Sequence, residues 1–399
     1  MPKAQPTCIE LFAGSGGLML GLEKAGFKTL LANEIHPHPC MTLRHNFPNT
    51  PIIEGSIKNY TGVSLLEAAG YSKKLVGKIT LIAGGPPCQG FSNAGLKNKS
   101  DPRNTLIGDF IRIVRDLQPE YFLLENVTGL LNLHDGELFE NVLKELRDSG
   151  YNFSYKTLYA ADFGVPQMRK RLIVLGSRDR DPPPHPEPTH RNPNSLDLFS
   201  AFLPDYISCG DALEDLPMIH SGETETKYLK KPKTPYQKLM RAGATKIYNH
   251  EASKHREETA AYYALVPPGG NAMQIPVHLR KKKQGMQRWP KKGLSRTITT
   301  EPTDFLHPTL HRIPTVREMA RIQSYPDHYV FLGQRTTGNK MRRLGYCSQT
   351  QQVGNSVPPL LAECIGRSIL NHAGYMEKET MKREEGRSPL KTQMAVTKT

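Results

Sequence analysis

The chain has 399 residues, with 53 Lys and Arg against 38 Asp and Glu, a formal charge of +15 and 37% apolar residues. That length suggests two domains, or one with a substantial insertion, and the apolar share rules out wholesale disorder. No apolar run approaches the roughly 18 residues of a membrane span, and none of signal-peptide length follows Met1–Pro6. The six cysteines (8, 40, 88, 209, 347, 364) form no Cys-x-x-Cys pair, which fits a reducing, cytoplasmic setting with neither a disulfide scaffold nor a bound metal. The positive excess makes a polyanion the first partner to consider.

In chain order, Thr7 to Ala13 reads as an apolar strand and Gly16 to Ala25 as a helix stopped by Gly26. Strands are expected at Lys28–Glu34, Ile79–Gly85 and Tyr121–Asn126, and again at Tyr155–Tyr159 and Leu172–Leu175. Helical spacing marks Thr105–Leu117 and Glu137–Ser149. This alternation predicts an α/β fold with a parallel sheet covered on both faces. Six prolines within residues 181–193 break the pattern and predict an extended domain boundary. From Lys227 to Gly293, sixteen Lys and Arg meet three acids, a net +13 that leaves the rest of the chain near +2. Tyr228, Tyr236, Tyr248 and Trp289 are interleaved with the basic residues, so phosphate contact is preferred over a merely solvated face. A short helix is expected from about Thr315 and a last one from Pro359 to about Asn371, followed by a polar tail. There is no internal repeat.

Two segments carry chemistry. Glu10 to Gly17 sits where the first strand turns into the first helix, and its glycines permit close approach of a ligand to the helix N-terminus. The dinucleotide fingerprint fails because Met19 holds the third glycine position. Glu34, which ends the second strand, suits a ribose with two free hydroxyls. An adenosine-type ligand without the pyrophosphate fingerprint points towards S-adenosyl-L-methionine and away from a nicotinamide dehydrogenase. The second segment, Gly84-Gly85-Pro86-Pro87-Cys88-Gln89-Gly90, puts a thiol beyond a strand end, where ligands of parallel sheets bind. A polar stretch to Asn104 follows it, as in a mobile lid.

Taken in order, Phe12-Ala13-Gly14-Ser15-Gly16-Gly17, Pro86-Pro87-Cys88-Gln89, Glu125-Asn126-Val127, Gln167-Met168-Arg169-Lys170-Arg171 and Gly354-Asn355-Ser356-Val357-Pro358 resemble the motifs of the cytosine-5 DNA methyltransferase family across about residues 7–373. The resemblance implies a Rossmann-like S-adenosylmethionine-dependent methyltransferase sheet with an antiparallel last strand and a second, smaller target-recognition domain. The catalytic domain would be residues 1–180 completed by 350–373, the recognition domain 181–330, and 374–399 a disordered tail. Cys88 would be the nucleophile, Glu125 the acid at the base's N3, Arg171 the partner of its O2 carbonyl, and Arg169 a residue positioning the catalytic loop or a phosphate. Cofactor contacts would come from Phe12, Ala13, Gly14, Ser15, Gly16, Gly17, Glu34 and Ile35, then Ser56, Ile57, Pro87, Leu106, Asn355, Ser356 and Val357. The family usually presents Gly-Asp-Ile where this chain has Gly55-Ser56-Ile57, which weakens the expected adenine contact. DNA contacts would come from Gln89, Ser92, Arg103, Arg280, Lys281, Lys282, Lys283 and Arg288, although nothing singles out which residue reads a base.

With no sizeable domain ahead of residue 7, the chain is expected to be a stand-alone, monomeric prokaryotic modification enzyme. It would act on double-stranded DNA beside a cognate restriction endonuclease. A relative acting on tRNA would share the chemistry but usually carries a Cys-Phe-Thr tripeptide, which does not occur here. A non-catalytic DNA-binding relative would be expected to lose Cys88 or Glu125, and both are present.

Overall fold

The computed structural model describes residues 4–87, 106–195, 200–281, 285–335 and 346–375. Strands β1 (Thr7–Leu11), β2 (Lys28–Glu34), β3 (Ile52–Glu54), β4 (Leu81–Gly84) and β5 (Tyr121–Asn126) lie parallel in the order β3-β2-β1-β4-β5. After them come β6 (Asn152–Tyr159), the two-residue β7 (Gln167–Met168) and β8 (Lys170–Ser177). β8 inserts between β5 and β6 and runs antiparallel to both, completing seven strands. The antiparallel strand expected from the resemblance is therefore present.

Every residue of β4 and β5 is buried, as central strands covered on both faces require. Side-chain alternation along β5 sends Phe122 and Leu124 to one face and Tyr121 and Leu123 to the other. Helix α1 (Gly17–Ala25) covers the second face together with the C-terminal helix Pro359–His372. They meet closely: a Cβ on Gly21 would lie 2.4 Å from that of Ala362, so only glycine fits there. On the first face lie α3 (Gly62–Ala68), α4 (Leu106–Leu117) and α5 (Glu137–Asp148), after α2 (Pro37–Asn46) at the sheet's edge. The sequence pattern gives no sign of α2, β3 or α3. α2 buries only Pro39, Cys40, Thr42 and Leu43, β3 has three residues, and α3 is a seven-residue helix started by a Thr61–Ser64 capping box.

The proline-rich segment has neither helix nor strand over residues 182–188, and it is strapped down. Thr189 and His190 donate their backbone N–H to the Asp162 carbonyl, and Ser368 Oγ donates to that of Pro184. Beyond it lie α6 (Cys209–Leu213), α7 (Pro235–Arg241), α8 (Glu257–Ala264), β9 (Gln287–Arg288), β10 (Ser295–Arg296), β11 (Phe305–Leu306) and α9 (Val316–Ile322). β10 pairs with β7 and β11 with β9. A shared core joins Ala13, Met19 and Phe47 to Leu213, Tyr236, Trp289 and Met319, so this region packs directly on the loop after β1 and the start of α1. Inside it, Arg321 bridges Asp327 at 2.6 Å and Asp215 at 2.9 Å, and Arg312 meets Glu318 at 2.7 Å, all fully buried. Removing one partner of such a pair leaves a buried charge and typically costs about 3–5 kcal/mol. Among the described residues no helix is long and apolar enough to cross a membrane.

Candidate active site

β1 leads into a loop in which Phe12, Gly14 and Gly16 all take left-handed backbone angles, at φ 57°, 54° and 74°. Only at Phe12 is this strained, because a side chain there crowds the backbone. The glycines answer different needs. A Cβ on Gly14 would meet nothing within 4 Å, so that face of the loop is open to a ligand. One on Gly17 would lie 2.1 Å from Ser356 Oγ and 2.2 Å from the Val357 carbonyl, so the last motif is laid against the start of α1. Glu34 is 6% exposed at the end of β2. Its two carboxylate oxygens accept the backbone N–H of Gly14 and of His36, each at 2.8 Å. A carboxylate has about four acceptor positions, so room remains for a ribose. Ile35 beside it is exposed and apolar.

Several residues expected to contact the cofactor have side chains engaged within the fold. Ser15 is buried; its hydroxyl is bonded to Tyr325 Oη at 3.0 Å and donates to the Gln352 carbonyl at 3.1 Å, and its own carbonyl accepts from Tyr329. Ser356 Oγ is shared between Tyr325 and the Val357 carbonyl, and the Val357 and Ile57 side chains are buried in the two sheet cores. Ala13 is buried too, and Phe12 and Leu106 are partly covered. Ser56 Oγ accepts from the Lys58 N–H at 3.4 Å, capping a short turn. Of the last motif, Asn355 alone is exposed. The braces Tyr325, Tyr329 and Gln352, and Asn33, whose amide holds the Gly55 carbonyl at 3.0 Å, carried no motif by which to find them. Glu10, under the loop, is buried with Oε2 unpartnered among the described residues, and burial pushes its carboxyl well above the usual range.

The second half of the site lies at the ends of β4, β5 and β8. Glu125 Oε1 meets Arg171 Nε at 2.6 Å, with both side chains 12% exposed. The strand end after β4 fits around them: Asn126 Nδ2 donates to the Pro86 carbonyl at 3.2 Å, and Pro87 is half-buried beyond it. A Cβ on Gly85 would come within 2.8 Å of Glu125 Oε2. Cys88, Gln89, Ser92 and Arg103 lie outside the described residues. Burial raises the thiols of all five other cysteines, those of Cys40, Cys347 and Cys364 to about 12, and a buried thiol held neutral is a poor nucleophile.

Arg169 and Arg171 do not share one strand as their alternation suggests, because Arg169 falls in the break between β7 and β8. Its guanidinium is buried and donates to the carbonyls of Ile298, Gly354 and Ser356 at 3.2, 3.1 and 2.9 Å. This fixes the last motif and leaves Arg169 no part in holding a phosphate. A cavity of about 680 Å³ opens onto Arg171, walled by Val127, Tyr159, Met168, Lys170 and Tyr206. Tyr206 donates to Asp162 Oδ1 at 2.5 Å inside it.

In the basic region Arg288 is 2% exposed, with donors on the carbonyls of Tyr263, Val266, His307 and Leu310 at 2.6–2.9 Å. It braces the region from within and cannot meet a base edge. Arg280 is half-buried and donates to the Ile275 carbonyl at 2.6 Å, while Lys281 is exposed with its ammonium 4.7 Å from the Tyr262 ring centroid. Lys282 and Lys283 lie outside the described residues. No group of His, Cys, Asp and Glu that could hold a metal occurs among the described residues.

A glycine loop after β1, an acid ending β2, and an acid–arginine pair across β5 and β8 of a sheet in this order define a Rossmann-like methyltransferase. The chain belongs to the C-5 cytosine-specific DNA methylase family, whose model matches residues 6–371, and is a DNA (cytosine-5)-methyltransferase. The Type II methyltransferase M1.HphI of Haemophilus parahaemolyticus is 34% identical over 91% of this chain and 86% of its own length. M.DdeI of Desulfomicrobium norvegicum is 34% identical over 90% and 88%. Among solved structures, a prophage-encoded protein of E. coli assigned as a DNA modification methyltransferase superposes with a TM-score of 0.71 at 25% identity, over 92% of this chain and 99% of that one. The Dnmt2 methyltransferase of S. pombe, at 17% identity and a TM-score of 0.55 over 93% and 100%, shares the fold. Methyltransferases of this family depend on S-adenosylmethionine.

Proposed function

We propose that this chain transfers the methyl group of S-adenosyl-L-methionine to C5 of a cytosine flipped out of double-stranded DNA, through a covalent bond between Cys88 and C6. The observation that carries the reading is the Glu125–Arg171 pair, closed at 2.6 Å against Gly85, three residues before the thiol. The residues fit the cofactor: Glu34 keeps acceptor positions for ribose hydroxyls, Gly14 faces open space, and Ile35 offers an apolar surface beside them. Bound there, the cofactor supplies an electrophilic methyl sulfonium.

Cytosine C5 is a poor nucleophile until the ring is activated. The Cys88 thiolate forms an S–C6 bond, and the displaced π electrons make C5 the nucleophilic end of an enamine. Glu125 gives a proton or a hydrogen bond to N3 as electron density rises there, and accepts from the exocyclic amine, which selects cytosine over thymine. Arg171 holds that carboxylate and brings its guanidinium to O2. C5 takes up the methyl group as that group's bond to the sulfonium sulfur breaks, its electron pair staying on the sulfur as a neutral thioether. Water then removes the C5 proton, and the S–C6 bond breaks to return the thiolate. Residues 1–180 with 350–373 are the catalytic part of this reading, and 181–330 the part that grips DNA. The similar Type II methyltransferases support a role in protecting DNA from a cognate endonuclease.

The test is transfer of a labelled methyl group to duplex DNA and to tRNA, with a duplex carrying 5-fluorocytosine in parallel. Fluorine cannot leave C5 as a proton does, so the adduct persists and survives denaturing electrophoresis. Label on DNA with a trapped complex is expected. Label on tRNA alone, or trapping that persists in Cys88→Ser, overturns the reading.

A further inference from the structure

Among the described residues of the basic region six large apolar side chains are exposed, Leu229, Leu239, Leu265, Met273, Val277 and Leu279, and the last three fall together within one stretch of seven residues. Met273, Val277 and Leu279 are 47%, 76% and 45% exposed. They are not leftovers of loose packing. Two short turns, Ala272–Gln274 and Val277–Leu279, carry them outward, while Ala272 and Ile275 are fully buried with Tyr262, Tyr263 and Met286. A capping box at Asn271 and Gln274 fixes the first turn, and Arg280 ties its side chain to the Ile275 carbonyl. The buried Arg288 braces the floor. Apolar side chains held towards water on so well-anchored a loop mark a contact surface.

Charge selects the partner. Lys281, exposed, follows directly, and the surrounding stretch carries a net +13. A neutral apolar protein face would gain nothing from that field, whereas a polyanion would. Position agrees. The Ala272 N–H donates to the Met286 carbonyl at 2.9 Å, and the preceding Gly285 carbonyl accepts from Arg296 Nη2 at 2.7 Å. Arg296 pairs with Met168 and precedes Thr297, which lines the cavity over Arg171. The loop therefore stands beside the cleft, one arginine side chain and one strand-like spacing of about 4.8 Å away.

We propose that Met273, Val277 and Leu279 form a base-reading ridge that enters the major groove beside the flipped cytosine and packs on the 5-methyl group of a thymine in the target site. These side chains form no ordinary hydrogen bonds with the donors and acceptors of base edges, and the thymine methyl is the one apolar group displayed in that groove. The inference rests on the reading of the chain as a duplex-DNA methyltransferase.

The site methylated by the wild-type enzyme is first found by bisulfite sequencing. In duplexes carrying it, each thymine within and flanking the site is then replaced by deoxyuracil, which removes one methyl group and leaves every hydrogen-bonding edge intact. One replacement should lower kcat/KM about four-fold, the worth of one methyl-sized group buried from water. Val277→Ala, or whichever of Met273→Ala and Leu279→Ala removes the contact, should be insensitive to that same replacement. All three residues are exposed, so matching thermal midpoints will show that the variants fold. Indifference to uracil at every thymine, a site and flanks without A·T pairs, or equal sensitivity in all three variants overturns the ridge alone. Failure of the wild type to methylate any duplex overturns the reading beneath it, and the ridge with it.

Discussion

Gly85→Ala is a one-carbon test of how the carboxylate of Glu125 is held. Gly85 does not adopt a positive φ, so alanine meets no backbone obstacle there. Its Cβ would lie 2.8 Å from Glu125 Oε2, while ordinary contact begins at 3.4 Å, so one of the two groups must yield by about 0.6 Å. The end of a glutamate usually yields easily. Here the other carboxylate oxygen is pinned to Arg171 at 2.6 Å in a site 12% exposed, and Asn126 holds the neighbouring Pro86 carbonyl. The displacement therefore falls on the group proposed to meet N3, or on the chain leading to Cys88. A misplacement of about 1 Å costs up to roughly 100-fold in rate, so about 0.6 Å should cost some 10- to 100-fold. Single-turnover methylation at saturating cofactor and DNA reads that loss, with the thermal midpoint expected within about 2 °C of wild type. An unchanged rate would refute the claim that this carboxylate's position matters. A collapsed midpoint would show that the cost had fallen on the fold.

Glu34→Ala should weaken S-adenosylmethionine binding by about 10- to 100-fold, the worth of hydrogen bonds to a charged group, while duplex binding measured without cofactor stays put. Titration calorimetry checks this, and unchanged cofactor affinity would remove Glu34 from the site. Replacing Lys281, Lys282 and Lys283 with glutamine should flatten the plot of log affinity against log salt by up to about three units, and an identical slope would make this run a solvated surface. Burial, with help from Arg312 and Arg288 against the pull of Glu318, depresses the His307 imidazole to about 4, and its Nδ1 accepts the Leu310 N–H at 3.0 Å. The unfolded chain takes up that proton near 6.5 and the folded chain does not, so stability should fall as pH drops from 6.5 towards 4. His307→Asn, which keeps an acceptor there, should reduce that slope in thermal melts, and an equal slope would refute the assignment.

The parts of the fold legible in the sequence are those where one local rule suffices. β2 spans Lys28–Glu34 as its apolar run implies, and α1 ends where Gly26 takes φ 118°. Each of α4 and α5 has a side rich enough in apolar residues to show its period. α2 hides because only four of its ten residues are buried, too few to leave a repeat. Among the candidate site residues, Glu34 was legible as an acid ending a strand, since a strand end in a parallel sheet faces the ligand whatever the residue, whereas Glu125 came from the resemblance of Glu125-Asn126-Val127 to a family motif. Their partners were not: the Gly14 N–H on Glu34 and the Gly85 approach to Glu125 are products of chain tracing in three dimensions. Ser15, Ile57, Ser356 and Val357 sit in motifs expected to surround a ligand, yet a motif does not say which of its side chains turn into the fold.

Basic residues show the same gap most sharply, because counting charge ignores depth. Of the sixteen between Lys227 and Gly293, Arg288 is spent on four carbonyls. Arg241 packs 3.7 Å from the Tyr228 ring centroid and approaches Asp215 at 3.5 Å, an acid outside the counted window. Lys291 meets Glu214 at 2.8 Å, also outside it. These three do not count alike. Lys291 and Glu214 are 60% and 48% exposed, and an exposed pair is worth at most about 1 kcal/mol, so a phosphate can compete for the lysine. Nothing can compete for Arg288 without unfolding its surroundings. The positive field that draws DNA and the set of cations that touch it are therefore different quantities. The field reflects nearly the whole excess, while contact is open only to exposed side chains such as Lys281. Interior arginines such as Arg288 hold their region rigid from within, and in the proposed reading that rigidity would let a few exposed side chains meet a base pair in a fixed register.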